Sequence, residues 1–304
     1  MTAPTRMVRF LDKAGALAWG HSAVGSSVAT MITGCGPHRP GAARSLLITD
    51  PPQSVEIGTV LPPTPVPPAV MCVGLNYKKH ALETGHPAPL HPVVFYKNPS
   101  AVSGPFDSIV IPKICKPDTE VDYECELAVV MGPRPCRNVS KEEALEYVLG
   151  YTSANDVSAR RWQGKKGGGQ WSFSKSFDTF CPLGPGLLMA GTGVDPNNLG
   201  IETRLNGEVV QSSNTSDMIF DVASIISFLS QSTTLLPGTV ILTGTPEGVG
   251  YARKPEPVFL QAGDVVEVEV EGVGVQRNEV EAEREGPEEP AKVWSHGKNA
   301  WIHP

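Results

Sequence analysis

The stretch Asp122-Tyr123-Glu124-Cys125-Glu126-Leu127-Ala128-Val129-Val130-Met131 decides how the rest of the chain is read. Aromatic, β-branched and aliphatic residues running into Gly132-Pro133 predict a strand that ends in a turn. Alternate side chains of a strand share a face, so Glu124 and Glu126 project together, while Tyr123, Cys125 and Leu127 project the other way. Two carboxylates on one face at the mouth of an apolar strand repel each other. A hard divalent cation, which prefers oxygen ligands, relieves that repulsion.

Spacing by two is not sufficient for such a site. Glu267, Glu269 and Glu271 alternate with Val266, Val268 and Val270, and that run reads as the solvated face of an antiparallel strand turning at Gly272-Val273-Gly274. The first pair differs in its continuation. Ser140-Lys141-Glu142-Glu143 is a capping-box pattern leading to a helix over Ala144, Leu145, Tyr147 and Val148. Gly150 and Tyr151 then open a strand ending at Asn155-Asp156, and a βαβ-like return would carry Asp156 back beside Glu124 and Glu126. Three carboxylates on one Mg²⁺ leave about three of its six positions for water and a chelating substrate. If the turn after Asp156 is helical, Arg160 and Gln163 follow on the same face. A guanidinium and an amide there suit a carboxylate-bearing substrate.

Upstream, Ala69-Val70-Met71-Cys72-Val73 has the pattern of a buried strand. Asn76 can cap a short helix that Gly85 ends. His80 and Glu83 then lie three residues apart on one helical face. A carboxylate beside an imidazole orients the ring as a general base requires; an incidental surface pair has the same spacing. Glycine and proline on both sides would let this helix fold over a site and retreat.

Downstream, Gly164-Lys165-Lys166-Gly167-Gly168-Gly169-Gln170 lacks the GxxxxGK[ST] phosphate pattern and reads as a mobile loop near a site entrance. In Phe173-Ser174-Lys175-Ser176-Phe177, strand alternation puts Lys175 on a phenylalanine-bearing face. Its ammonium there needs an anionic partner or must snorkel to solvent. Asn206-Gly207 predicts a hairpin turn, and Asp221 a cap for the apolar stripe Val222, Ile225, Ile226 and Leu229. The loop from Thr243 to Gly250 either offers backbone N–H groups to an anion or is a tight turn.

With 304 residues the chain can bury a substantial core, and 31 glycines and 29 prolines predict a turn-rich β architecture. Three parts are expected: residues 1–68, a small N-terminal β appendage ending in the stiff Pro-rich linker Leu61-Pro62-Pro63-Thr64-Pro65-Val66-Pro67-Pro68; a main domain over 69–282; and a peripheral tail over 283–304 that Trp294 and Trp301 could dock. A net charge of −7 argues against a nucleic-acid partner. No apolar run reaches membrane-spanning length, and residues 1–13 lack the apolar core of a secretory signal. Six cysteines without paired metal-ligand spacing fit a reducing, intracellular compartment, cytoplasmic or mitochondrial.

Five ordered blocks resemble the fumarylacetoacetate hydrolase superfamily over roughly residues 70–282. They are Val73-Gly74-Leu75-Asn76-Tyr77 through His80 and Glu83; Tyr123-Glu124-Cys125-Glu126-Leu127; Asn155-Asp156-Val157-Ser158-Ala159-Arg160; Lys175-Ser176-Phe177-Asp178-Thr179-Phe180-Cys181-Pro182-Leu183-Gly184-Pro185; and Leu242-Thr243-Gly244-Thr245-Pro246-Glu247-Gly248-Val249-Gly250. The likeness is to the branch of acylpyruvate hydrolases, oxaloacetate decarboxylases and oxaloacetate tautomerases. It implies an α+β, mainly β fold, a mixed β-sandwich roll with short helices, assembled as a homodimer. It also implies Mg²⁺ or Mn²⁺ on Glu124, Glu126 and Asp156, and catalysis by His80, Glu83 and Lys175. Arg160, Gln163 and Thr245 would hold a small anionic keto acid. The expected activity is hydrolysis of a C–C bond in an acylpyruvate-type substrate. Oxaloacetate tautomerisation or decarboxylation is the alternative chemistry, and a non-catalytic binding protein of the same fold the alternative class.

Overall fold

The computed structural model describes residues 6–33, 47–48, 53–116, 119–284, 293–295 and 300–302. Its centre is the strand Cys125–Met131, buried at every position. Leu127 and Val129 pack into one core cluster with Ile201, Val266, Val268 and Val270. Ala128 and Val130 point the other way, into a second cluster with Val70, Cys72 and Leu242. A sheet covered on both faces has no use for polar alternation, which is why this strand is an unbroken apolar run.

Val148–Asn155 lies antiparallel on one side of this strand, from Cys125 opposite Asn155 to Met131 opposite Val148. Val240–Leu242 lies antiparallel on the other side and leads through parallel Val70–Gly74 to the edge strand Val93–Lys97. Beyond Val148–Asn155 come Leu187–Met189 and then Arg6–Asp12, on which Leu17–Ser22 and Ser54–Leu61 pair, with Val28–Thr33 pairing on both of those. The N-terminal strands thus extend the main sheet, an 11-stranded one among the described residues, around a small core of Val8, Phe10, Ala18 and Ala29. Pro63, Thr64, Pro65 and Pro67 are buried, so the proline run packs on the body instead of acting as a free spacer. Of residues 283–304, Val293–Ser295 pairs antiparallel with Ala300–Ile302, Trp294 opposite Trp301; the docking of those side chains lies outside the described residues.

A second, five-stranded sheet runs Glu208–Asn214, Gly200–Leu205, Val265–Val270, Gly274–Ala282, Ile109–Ile111. Its hairpin turns at Asn206 and Gly207, with φ of 53° and 85°, the left-handed pair an Asn-Gly turn needs. The long helix Val222–Ser230 is capped as expected, the Asp221 carboxylate accepting from the Ser224 N–H at 2.8 Å.

Local readings of the sequence fail where a distant partner takes the residue. Ser140 and Glu143 do form the capping box, yet only one 3₁₀ turn, Ala144–Tyr147, follows. Val148 is claimed by the ladder opposite Met131, and pairing there overrides helix propensity. The return to Asp156 is therefore a direct antiparallel one, not βαβ. Asn76 does not cap the helix Lys78–Glu83 (α1), whose N-cap is Tyr77. Its amide instead donates to the carbonyls of Phe220 and Thr243 and accepts from the Phe220 N–H.

Candidate active site

The three carboxylates expected to converge do so. Glu124 stands one residue before the central strand, and Asp156 one residue after Val148–Asn155. The ladder brings the two ends together, and the Asp156 N–H donates to the Glu124 carbonyl at 2.8 Å. Glu124, Glu126 and Asp156 are all buried, and one carboxylate oxygen from each lies within 4.8 Å of the other two.

Cations interleave with them. Lys175 Nζ lies 2.8 Å from Glu124 Oε2, 2.7 Å from Asp156 Oδ2 and 2.6 Å from Ser158 Oγ. It arrives at the end of the one-turn helix Trp171–Ser174 (α3 below, after α2 at Arg160–Gln163), not on the strand that the alternation predicts. Phe173 and Phe177 still pack together, ring to ring at 5.1 Å. Lys97 closes the other side of Asp156, 2.5 Å from Oδ1; its only mark in the sequence is that it lies in phase with buried Phe95 on an edge strand. Arg160 Nη1 meets Glu124 Oε1 at 2.6 Å, and its Nε meets Asp122 Oδ2 at 2.9 Å. Asp156 is followed by a short strand, Ser158–Ala159, before α2 begins. Arg160 and Gln163 therefore share a face within α2, and Nη1 donates to Gln163 Oε1 at 2.8 Å.

The electrostatics separate the two glutamates. Burial alone would raise the Glu124 carboxyl, but Lys175 and Arg160 outweigh it and hold the pKa at about 2. Burial also leads at Glu126, where Asp156 and Glu124 reinforce it and push the carboxyl well above its usual range. Its Oε2 accepts from the Gly244 N–H at 2.6 Å. Burial works against the Lys175 ammonium, but Asp156 and Glu124 raise its pKa on balance. Four buried acids (Asp122, Glu124, Glu126, Asp156) face three bases with buried side chains (Lys97, Lys175, Arg160), leaving one carboxyl in surplus. An all-oxygen donor set with a carboxyl in surplus fits a hard divalent cation.

Over this cluster lies α1. His80 is buried, its Nδ1 3.2 Å from Glu83 Oε2, and Glu83 Oε1 accepts from the Gly248 N–H at 3.0 Å. The glycine-rich loop spends its amides inside the protein: Gly244 on Glu126, Gly248 on Glu83, Gly250 on Asp122. These N–H groups are taken by carboxylates of the chain itself. Thr245 Oγ1 accepts from Gln211 Nε2 at 2.9 Å. His80, Glu124, Glu126, Arg160, Gln163, Lys175 and Thr245 line one cavity of about 490 Å³. Glu83 and Asp156 stand behind them, acting on His80 and Lys175. The loop expected at the entrance contributes Gly164. Four residues carried no assigned role in the sequence reading: Lys97, Asp122, Trp171 and Tyr251, the last lying under the Arg160 guanidinium at 4.6 Å. Among the described residues no helix is long and apolar enough to cross a membrane.

Residues 69–281 match the family model described as fumarylacetoacetate (FAA) hydrolase C-terminal. Over 222 residues, 73% of this chain and 68% of the other, the sequence is 49% identical to the mitochondrial oxaloacetate tautomerase fahd2 of Xenopus laevis. It is equally 49% identical, over 70% of this chain and 72% of the other, to a fumarylacetoacetate hydrolase domain-containing protein 2 homolog of Dictyostelium discoideum. Among solved structures, the fumarylacetoacetate hydrolase of Exiguobacterium antarcticum superposes with a TM-score of 0.78 at 36% identity, covering 92% of this chain and 100% of that one. The 5-carboxymethyl-2-hydroxymuconate delta-isomerase of Mycobacterium smegmatis gives 0.75 at 37%, covering 91% and 100%. The chain belongs to the fumarylacetoacetate hydrolase family.

Proposed function

We propose that this member of the fumarylacetoacetate hydrolase family moves a proton at the carbon between the two carbonyls of a small β-dicarbonyl 2-oxo acid, as in keto–enol tautomerisation of oxaloacetate. One observation carries the reading: His80, oriented by Glu83, faces the same cavity as Glu124 and Glu126. The relatives named oxaloacetate tautomerase support it. Glu124, Glu126 and Asp156 would hold Mg²⁺ or Mn²⁺, which supplies Lewis acidity toward the oxygens of a chelating 2-oxo acid.

The remaining work falls to side chains. Glu83 faces Nδ1 of His80 and fixes a proton there, which leaves Nε2 as the base. Nε2 takes the proton from the carbon between the carbonyls, the electron pair moves onto a carbonyl oxygen, and reprotonation of that oxygen gives the enol. The reverse sequence returns the ketone. Lys175 offers positive charge to the oxygen that gains it, and Arg160, Gln163 and Thr245 line the cavity where the substrate carboxylate would rest.

The cavity size favours a second reading, hydrolysis of an acylpyruvate, because about 490 Å³ has room for a substrate and an attacking water. There His80 would deprotonate the water that adds to the distal carbonyl. The C–C bond then breaks, and a proton passes to the departing pyruvate carbon, giving a carboxylic acid and pyruvate. Decarboxylation of oxaloacetate would use the same electron sink without the water. The relatives' names support a mitochondrial setting, and family likeness supports a homodimer, which light scattering would test.

The decisive experiment follows the ultraviolet loss of oxaloacetate enol, and of an acylpyruvate, after Mg²⁺ is added to EDTA-treated protein. Metal-dependent acceleration is expected. His80→Ala should lower it by about 10²- to 10⁴-fold with calorimetric metal affinity unchanged. Equal rates in that variant would remove His80 as the base and sink the proposal.

A further inference from the structure

One residue outside the cavity has every hydrogen-bonding position of its side chain filled, and its partners belong to the site. Gln211 lies on the edge strand Glu208–Asn214 of the second sheet and is 1% exposed. Its Oε1 accepts from the Cys125 N–H at 3.0 Å and from Thr203 Oγ1 at 2.9 Å. Its Nε2 donates to the Pro246 carbonyl at 3.1 Å and to Thr245 Oγ1 at 2.9 Å. A backbone irregularity brings it there. The ladder shifts register so that Thr203 faces Gln211 while Arg204 faces Val209, and the extra residue, Val210, bulges and re-aims its neighbour. The Val210 carbonyl presses onto the glycine-rich loop, where a Cβ at Gly248 would fall 2.2 Å from it.

The amide can point only one way. The Cys125 N–H can only donate and the Pro246 carbonyl can only accept, so Oε1 must face the first and Nε2 the second. The remaining Nε2 proton goes to Thr245, whose Oγ1 is obliged to accept it. A hydroxyl has one proton of its own, and among the described residues nothing accepts that of Thr245. Thr245 is 4% exposed and lines the cavity with Arg160 and Lys175. Those two cations already hold carboxylates at 2.6–2.9 Å, whereas the Thr245 proton is uncommitted. A buried donor left unmet costs free energy, so an acceptor from outside the chain must meet it. The same amide holds the backbone of Cys125, between Glu124 and Glu126, which indexes the hydroxyl to the carboxylate cluster.

We propose that Gln211 is a positioning residue that makes Thr245 a fixed hydrogen-bond donor to the carboxylate of the bound 2-oxo acid. The inference rests on the 2-oxo acid reading of the cavity, and the experiment separates the two. Pyruvate binding to the Mg²⁺-loaded protein is measured by calorimetry, with the folding of each variant followed in urea. Thr245→Val keeps the shape and removes the donor, and should weaken pyruvate about 10- to 100-fold, the size of a hydrogen bond to a charged group. Thr245→Ser keeps the donor and should stay within about threefold of the unsubstituted protein. The reverse order, with serine the weaker binder, means that Thr245 only fills space and overturns the proposal. In Gln211→Glu the carboxylate has no N–H to give and the hydroxyl turns back toward it. Adding Thr245→Val there should cost no more than about threefold. Gln211→Met, uncharged and equally without an N–H, strands the Pro246 carbonyl as a competing acceptor and repeats the cycle if the glutamate variant does not fold. In turnover of oxaloacetate, Thr245→Val and Gln211→Met should raise KM more than they lower kcat, because the carboxylate contact is shared by ground and transition states. An equal cost of Thr245→Val with and without Gln211 overturns this proposal alone. No binding of pyruvate to the unsubstituted Mg²⁺-loaded protein overturns the 2-oxo acid reading beneath it.

Discussion

Two runs of the chain space their glutamates by two against apolar residues, and they end in opposite surroundings. On Val265–Val270, the valines at 266, 268 and 270 are buried while Glu267 and Glu269 are half-exposed. Glu269 meets Arg204 at 2.7 Å in reach of solvent. At the head of the central strand the carboxylates go under as well: Glu124 is 6% exposed and Glu126 is 1% exposed. The outer run lies in a sheet with one face open. The inner run opens a strand covered on both faces, with Lys175, Arg160 and Asp156 arriving from elsewhere in the chain. A period of two fixes which side chains share a face; what crosses from distant segments fixes whether that face is wet.

The sharpest way to break this contrast is to strip the inner cluster of one cation. Arg160→Met leaves Asp122 and Glu124 buried without the guanidinium they share, and should cost about 3–5 kcal/mol of stability in urea unfolding. A loss below about 1 kcal/mol, the scale of surface pairs, would mean that the inner run behaves like the outer one. Next is Glu126→Gln. Substitution of residues that merely support metal ligands costs about 10- to 100-fold in affinity, so calorimetry should show at least the upper end of that range for Mg²⁺. The same change should raise the unfolding midpoint of the metal-free protein at neutral pH, because burial, Asp156 and Glu124 disfavour the ionised carboxyl that the unfolded chain carries there. Unchanged metal affinity would remove Glu126 from the ligand set. The smallest effect belongs to the outer run: Glu269→Gln should move stability by no more than about 0.5 kcal/mol, and a larger loss would show that its pairing with Arg204 is more than a surface contact.

What the sequence made legible was local or periodic. The strand through Leu127 and Val129, the Asn206-Gly207 turn, the Asp221 cap and the His80/Glu83 spacing each follow from a few adjacent residues, and each is present. Asp156 was legible in position but not in route, because the capping box at Ser140 stops after one turn once Val148 joins the central ladder. Asn76, Lys97 and Asp122 were not legible as site-builders. Their partners, at Thr243 and Phe220, at Asp156, and at Gly250 and Arg160, lie far away in the chain, and no local pattern announces them. The loop after Leu242 was read either as a donor of amides to an anion or as a tight turn. The anions proved to be the protein's own carboxylates.

That loop has a consequence for how the enzyme can diversify. Gly244 seats Glu126, Gly248 seats Glu83 beside His80, and Gly250 seats Asp122, the counterion of Arg160, so one short segment indexes three components to a common template. An insertion or deletion of a single residue there would misalign all three at once. The apolar lining residues Val93 and Trp171 come from other segments and can be replaced without changing the length of that loop. Relatives with different substrates should therefore diverge first at such apolar lining residues, while the segment from Thr243 to Gly250 keeps its length.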